Sequence, residues 1–132
     1  MLLVAIESPV RATDVYTREQ HMRYFYECCL DSIKRGEAPY GSHWLTAFLD
    51  DDDPLDRATG IRTGYLWSAR AGLAAMYVDL GVSPGMLEAK KFFEARNITV
   101  ERRTLGYPVI KMIQEMASDS PAPDPQDLTD FS

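Results

Sequence analysis

Apolar positions along this chain alternate between short unbroken runs and stripes at helical spacing. Leu2-Leu3-Val4-Ala5-Ile6 contains no polar residue and stops at Glu7-Ser8-Pro9, the pattern of a first, central strand buried on both faces. Ser8 to Tyr16 is polar and reads as a loop. Thr17-Arg18-Glu19-Gln20 has the spacing of a capping box; behind it Met22, Phe25, Tyr26, Cys29, Leu30 and Ile33 recur on one helical face. Gly36 stops that helix. Ala38 to Phe48 reads as a second strand with its following loop, and Asp50 to Asp53 with Pro54 interrupt regular structure.

A second helix is expected from about Leu55 to Ala71, although Gly60 and Gly64 each weaken it by about 1 kcal/mol. Leu73 to Val78 is an apolar third strand. Asp79-Leu80-Gly81-Val82-Ser83-Pro84-Gly85-Met86-Leu87-Glu88 then turns the chain into a third helix reaching about Arg96, with Met86, Ala89 and Phe93 on its apolar face. Ile98 to Arg102 reads as a fourth strand and Pro108 to Met116 as a short amphipathic helix. No repeat is present. This alternation is that of an α/β domain whose parallel sheet carries helices on its faces, joined by right-handed crossovers. The expected domain spans residues 1–117, and the proline- and aspartate-rich tail over 118–132 is expected to be disordered.

Composition narrows the partners. A chain of 132 residues, 45% of them hydrophobic, suits one globular domain, and no apolar run approaches the roughly 20 residues that span a bilayer. No basic segment followed by an apolar one opens the sequence, so no secretory signal is expected. Cys28 and Cys29 are neighbours on a helix and point apart; no mutual disulfide is expected, and a reducing, cytoplasmic location is. Of the formal charge of −6, four units lie in the tail (Asp119, Asp124, Asp127 and Asp130), which leaves the body near −2. No basic stripe exists for a phosphate backbone, so nucleic acid is a poor partner and a small molecule remains. His21 and His43 stand alone, and the consecutive Asp50–Asp53 cannot converge on one ion, so no metal is expected.

In a parallel sheet the loops after the strands meet at the carboxyl edge, where such folds bind ligands. Ser8–Arg11, His43–Asp53 and Asp79–Glu88 should gather there. Arg11 suits a phosphate or carboxylate, as does the helix start at Ser83, Gly85 and Met86 with its free N–H groups. Glu88 could act as nucleophile or base at a sugar C1′ or be a surface glutamate near a helix start; Asp79 could hold a ribose hydroxyl or cap its own turn. His43 and Trp44 are the aromatic residues best placed to stack on a base.

Ser8-Pro9-Val10-Arg11 after the first strand, His43–Leu45, the acidic Asp50–Gly60 loop and Asp79-x-Gly81-x-Ser83-Pro84-Gly85-Met86-x-Glu88 together resemble the nucleoside 2-deoxyribosyltransferase-like superfamily, over about residues 1 to 103. That group includes deoxyribosyltransferases and nucleoside 5′-monophosphate N-glycosidases. The resemblance implies a Rossmann-like (flavodoxin-like) three-layer sandwich with a mainly parallel sheet of four to five strands. It further implies a homodimer or higher homo-oligomer. The implied chemistry is N-glycosidic, on a nucleoside or nucleotide and without a cofactor. Glu88 matches the nucleophile; Ser8, Arg11 and Ser83 match the 5′-phosphate positions, and Asp79 the acid before the glycine turn. Gly64 stands where the hydrolases carry an acid.

Overall fold

The computed structural model describes residues 1–116; the expected disordered tail lies outside them. Its elements are β1 (Leu3–Glu7), α1 (Arg18–Lys34), β2 (Ala38–Tyr40), a 3₁₀ helix (Ser42–Ala47), α2 (Pro54–Ser68), β3 (Leu73–Tyr77), α3 (Pro84–Ala95), β4 (Val100–Arg103) and α4 (Tyr107–Gln114). The four strands form one parallel sheet in the order β2-β1-β3-β4. The fold is α/β and Rossmann-like, with helices on both faces.

Local chemistry accounts for the helix starts. Thr17 Oγ1 accepts from the Gln20 N–H at 3.1 Å, while Gln20 Oε1 accepts from the Thr17 N–H at 2.7 Å, a complete capping box. Asp53 and Ser83 cap α2 and α3, and each is followed by proline at the first helical position. Gly81 lies at φ 101°, a left-handed conformation that glycine adopts without steric cost. Among the described residues no helix is long and apolar enough to cross a membrane.

The second strand is shorter than expected. It ends at Tyr40, and the residues read as its loop coil into the 3₁₀ helix. Gly41 makes the junction possible by contact: a Cβ there would lie 2.2 Å from Phe25 Cε1. The 3₁₀ helix also underlies α2, where a Cβ on Gly64 would come within 2.9 Å of Ser42 Cβ. The glycines that lower the intrinsic helicity of α2 thus include one that lets it pack closely.

Two apolar clusters flank the sheet. Val4, Ile6, Ala75 and Tyr77 pack with α1 and with Ile113 of α4 on one face. Ala5, Ala74, Ala89 and Phe93 pack on the other, with Tyr65 of α2 against them. Successive strand residues alternate between faces, so Glu7 follows Ala5 onto the α2–α3 side and Ser8 follows Ile6 toward α1. The chain leaves β1 in one direction toward β2, and β3 lies on β1's other flank. The carboxyl ends of β1 and β3 therefore border the point where strand order reverses, the crevice used for ligands in open α/β sheets.

Candidate site at the carboxyl edge of the sheet

The first loop and the acidic loop do meet. Arg11 Nε donates to Asp51 Oδ2 at 3.0 Å and Arg11 Nη2 to the Asp51 carbonyl at 2.9 Å. Arg57 Nη1 reaches the same Asp51 carboxylate at 3.4 Å, so two guanidinium groups hold the loop. Arg11, Ala12, Arg18 and Asp52 line an open cavity of about 330 Å³. Arg18 forms no ion pair among the described residues, which leaves its charge free over that cavity.

Two histidines support the first loop from beneath. His43 Nε2 lies 2.9 Å from the Ser8 carbonyl and 3.0 Å from Ser8 Oγ, and His21 Nδ1 lies 2.7 Å from the Arg11 carbonyl. A carbonyl only accepts, so each imidazole donates through that nitrogen. The remaining nitrogens, His43 Nδ1 and His21 Nε2, are buried without a partner. Desolvation lowers both pKa values, that of His43 to about 4, so both rings are neutral near pH 7. The His43 ring stacks on Phe25 at 4.0 Å, nearly parallel, using a face that a base would need. Trp44 packs edge-on against Phe25 and Tyr40 and stays partly exposed. Pro9 is buried beside Ser8.

The third loop divides. Asp79 turns toward α1: its carboxylate accepts from the Tyr24 hydroxyl at 2.5 Å, from the Leu105 N–H at 2.8 Å and from the Gly106 N–H at 3.1 Å. These bonds use its acceptor capacity to join β3, α1 and the β4–α4 connection. The sugar-orienting task and the cap of its own turn, both read from the sequence, give way to this long-range fastening. Ser83 Oγ accepts from the Met86 N–H at 3.2 Å, and Met86 is buried beneath the start of α3. Gly81 and Gly85 are exposed in the same turn. Glu88, in the second turn of α3, is 68% exposed and lies 3.5 Å from Lys91 Nζ.

One acid that sequence reasoning passed over stands at this edge. Glu7 closes β1, is half-buried, and has neither hydrogen bond nor ion pair for its carboxyl among the described residues. Burial raises its pKa to about 8. The charges of Glu7 and Glu88 both bear on the Tyr65 hydroxyl; after burial itself they are what raises that phenol. The signal in the sequence was a lone acid ending an otherwise apolar strand. Alongside it, Tyr65 and Phe92 stack at 4.2 Å and Arg96 covers Phe92 at 3.8 Å, walling an apolar groove of about 580 Å³ between α2 and α3. Among the described residues no group of three or more His, Cys, Asp or Glu side chains could hold a metal ion.

Residues 2–103 match the model of DUF7768, a domain of unknown function. No curated protein and no solved structure matches the chain.

Proposed function

The chain belongs to the DUF7768 family, a domain of unknown function; from its own residues we propose an enzyme that cleaves or exchanges the N-glycosidic bond of a nucleoside or nucleoside 5′-monophosphate. Glu88 is the nucleophile or stabiliser of C1′, a role in which a carboxylate traps an oxocarbenium-like centre. The observation that carries the reading is the position of Glu88: solvent-reachable and in the second turn of α3, whose start follows the carboxyl end of β3. Arg11 and Arg18 around their cavity suit a 5′-phosphate, and planar guanidinium groups favour such anions.

Assembly as a homodimer or higher oligomer belongs to the same proposal. It is supported by α2, which leaves Leu55, Ile61, Leu66 and Trp67 exposed.

The test is base release from a panel of nucleosides and nucleoside monophosphates, comparing the wild type with Glu88→Gln. The reading expects release that the variant loses. Undiminished release by Glu88→Gln refutes the assignment of the nucleophile. A second reading, a nucleotide-binding module of the same fold without turnover, is favoured by the ion pair of Glu88 with Lys91. Thermal stabilisation by nucleotides with no base released would select it.

A further inference from the structure

The end of α4 lies against the start of α1. Gln20 Nε2 donates to the Ile113 carbonyl at 3.0 Å, and Gln114 Nε2 donates to the Tyr16 hydroxyl at 3.4 Å. Met116 packs on the same apolar cluster as Tyr16. Two positions beyond Tyr16 stands Arg18, which lines the cavity of about 330 Å³ with Arg11, Ala12 and Asp52. The chain therefore leaves α4 on the side of the molecule where that cavity opens. Residues 117–132 follow, and Asp119, Asp124, Asp127 and Asp130 are their only charged side chains.

We propose that this acidic segment, through Asp119 and Asp124, serves as an internal counter-anion of the Arg11–Arg18 cavity, which an entering phosphate must displace. The competition rests on the phosphate assignment above; the contact itself does not. Charge directs the segment to this place. Arg11 is already matched by Asp51, with Asp52 at 3.8 Å. On the neighbouring helices Arg23 pairs with Glu27 and Lys111 with Glu115. Arg18 has no such partner among the described residues and is the cation left over at the cavity.

Reach permits the contact. Asp119 follows Met116 by about 10 Å of extended chain, and Asp124 by up to about 28 Å. An exposed ion pair is weak by itself. A short tether, however, holds its acids at an effective concentration of about a millimolar or more, so a weak contact still competes with a dissolved ligand. Asp119 and Asp124 then do at Arg18 what Asp51 does at Arg11. The site in its resting state is charge-balanced by carboxylates from two separate parts of the chain, the acidic loop and the segment after α4.

The experiment uses the full chain with a nitroxide attached at Gln126→Cys; Cys28 and Cys29 are buried and are left unlabelled under native conditions. Broadening of the Ala12 and Arg18 amide signals is compared between the acidic segment and Asp119→Asn/Asp124→Asn. Stronger broadening is expected with the acids present, and the difference should vanish in about 1 M salt, where charges are screened within about 3 Å. Arg18→Gln should lower the broadening to the neutralised level. In titrations with inorganic phosphate and a nucleoside monophosphate, Asp119→Asn/Asp124→Asn should bind about three- to tenfold more tightly than the wild type. Equal broadening with and without the acids, or equal phosphate affinity in the two proteins, overturns the proposal. So does broadening that passes only from labelled to unlabelled copies in a mixture, which would assign the segment to a second molecule. Salt-sensitive broadening in a chain that takes up neither phosphate nor monophosphate supports the contact and removes the phosphate reading alone.

Discussion

Tyr24 and Asp79 exchange two hydrogen bonds across 55 positions of sequence: the phenol donates to the carboxylate at 2.5 Å and accepts from the Asp79 N–H at 2.9 Å. The carboxylate also takes the N–H groups of Leu105 and Gly106, so one side chain ties α1 and the β4–α4 connection to the end of β3. Asp79→Ala leaves the Tyr24 O–H and two backbone donors without their acceptor, and is expected to cost about 2–4 kcal/mol. Tyr24→Phe should cost about 1–2 kcal/mol, because the carboxylate keeps its backbone donors. Urea unfolding measures both; an Asp79→Ala midpoint equal to that of the wild type would remove Asp79 from this role.

Glu37 and Arg103 form the most buried ion pair, two-pronged at 2.8 and 2.7 Å, with Arg103 only 3% exposed. The Arg103 hydrogen bonds are the main cause that holds the Glu37 carboxyl below its ordinary range. A lowered carboxylate pKa contributes stability above the unfolded value, near 4.5, and that contribution is lost as pH falls through the folded one. Glu37→Gln is expected to cost about 3 kcal/mol at pH 7, since it leaves a buried guanidinium without its carboxylate. The gap between wild type and variant should narrow below about pH 4, as followed by thermal melts.

Glu7 and the histidines act on stability with opposite slopes. The folded state holds the Glu7 proton more tightly than the unfolded chain, so stability falls as pH rises from about 4.5 to about 8. His43 and His21 hold protons less tightly when folded; their contribution is present above about 6.5 and is lost on acidification, for His43 down to about 4. The expected profile has a maximum near pH 6–7 and an alkaline decline. Glu7→Gln should flatten that decline, by about 2 kcal/mol at pH 8.5 once partial exposure is discounted. A decline of unchanged size in Glu7→Gln would show that another group produces it.

Gly41 is extended, at φ −141°, so its conformation suits any residue. Space is what excludes a side chain there, since Phe25 would have to move from its stack with His43. Gly41→Ala is expected to destabilise by about 1–3 kcal/mol, more than loss of a special backbone angle would explain. The double substitution Gly41→Ala with Phe25→Leu should recover part of that loss, because it frees volume at the contact. Additive losses in the double variant would place the strain elsewhere.

Much of the fold was legible because it rests on local rules. The Thr17–Gln20 capping box fixed the start of α1, and apolar runs separated by helical stripes gave a parallel sheet. The stretch after Tyr40 was harder, since its 3₁₀ coil depends on a glycine contact with Phe25 rather than on its own residues. The meeting of Arg11 with the acidic loop followed from topology. The partner of Asp79 did not, because Tyr24 and Leu105 lie 55 and 26 positions away and nothing in the local turn specifies them. Glu7 was hidden for a related reason: an acid ending a strand acquires meaning only from the helices that cover it.

Arg11 already holds an anion of the protein's own, the Asp51 carboxylate. A phosphate that takes the guanidinium must exchange with that internal ligand, and the exchange releases the acidic loop from its principal anchor. Occupancy and loop position are therefore linked quantities. The affinity measured for such a ligand is the difference between two charge pairs, both weakened by salt, so ionic strength should change it less than the two arginines around the cavity suggest.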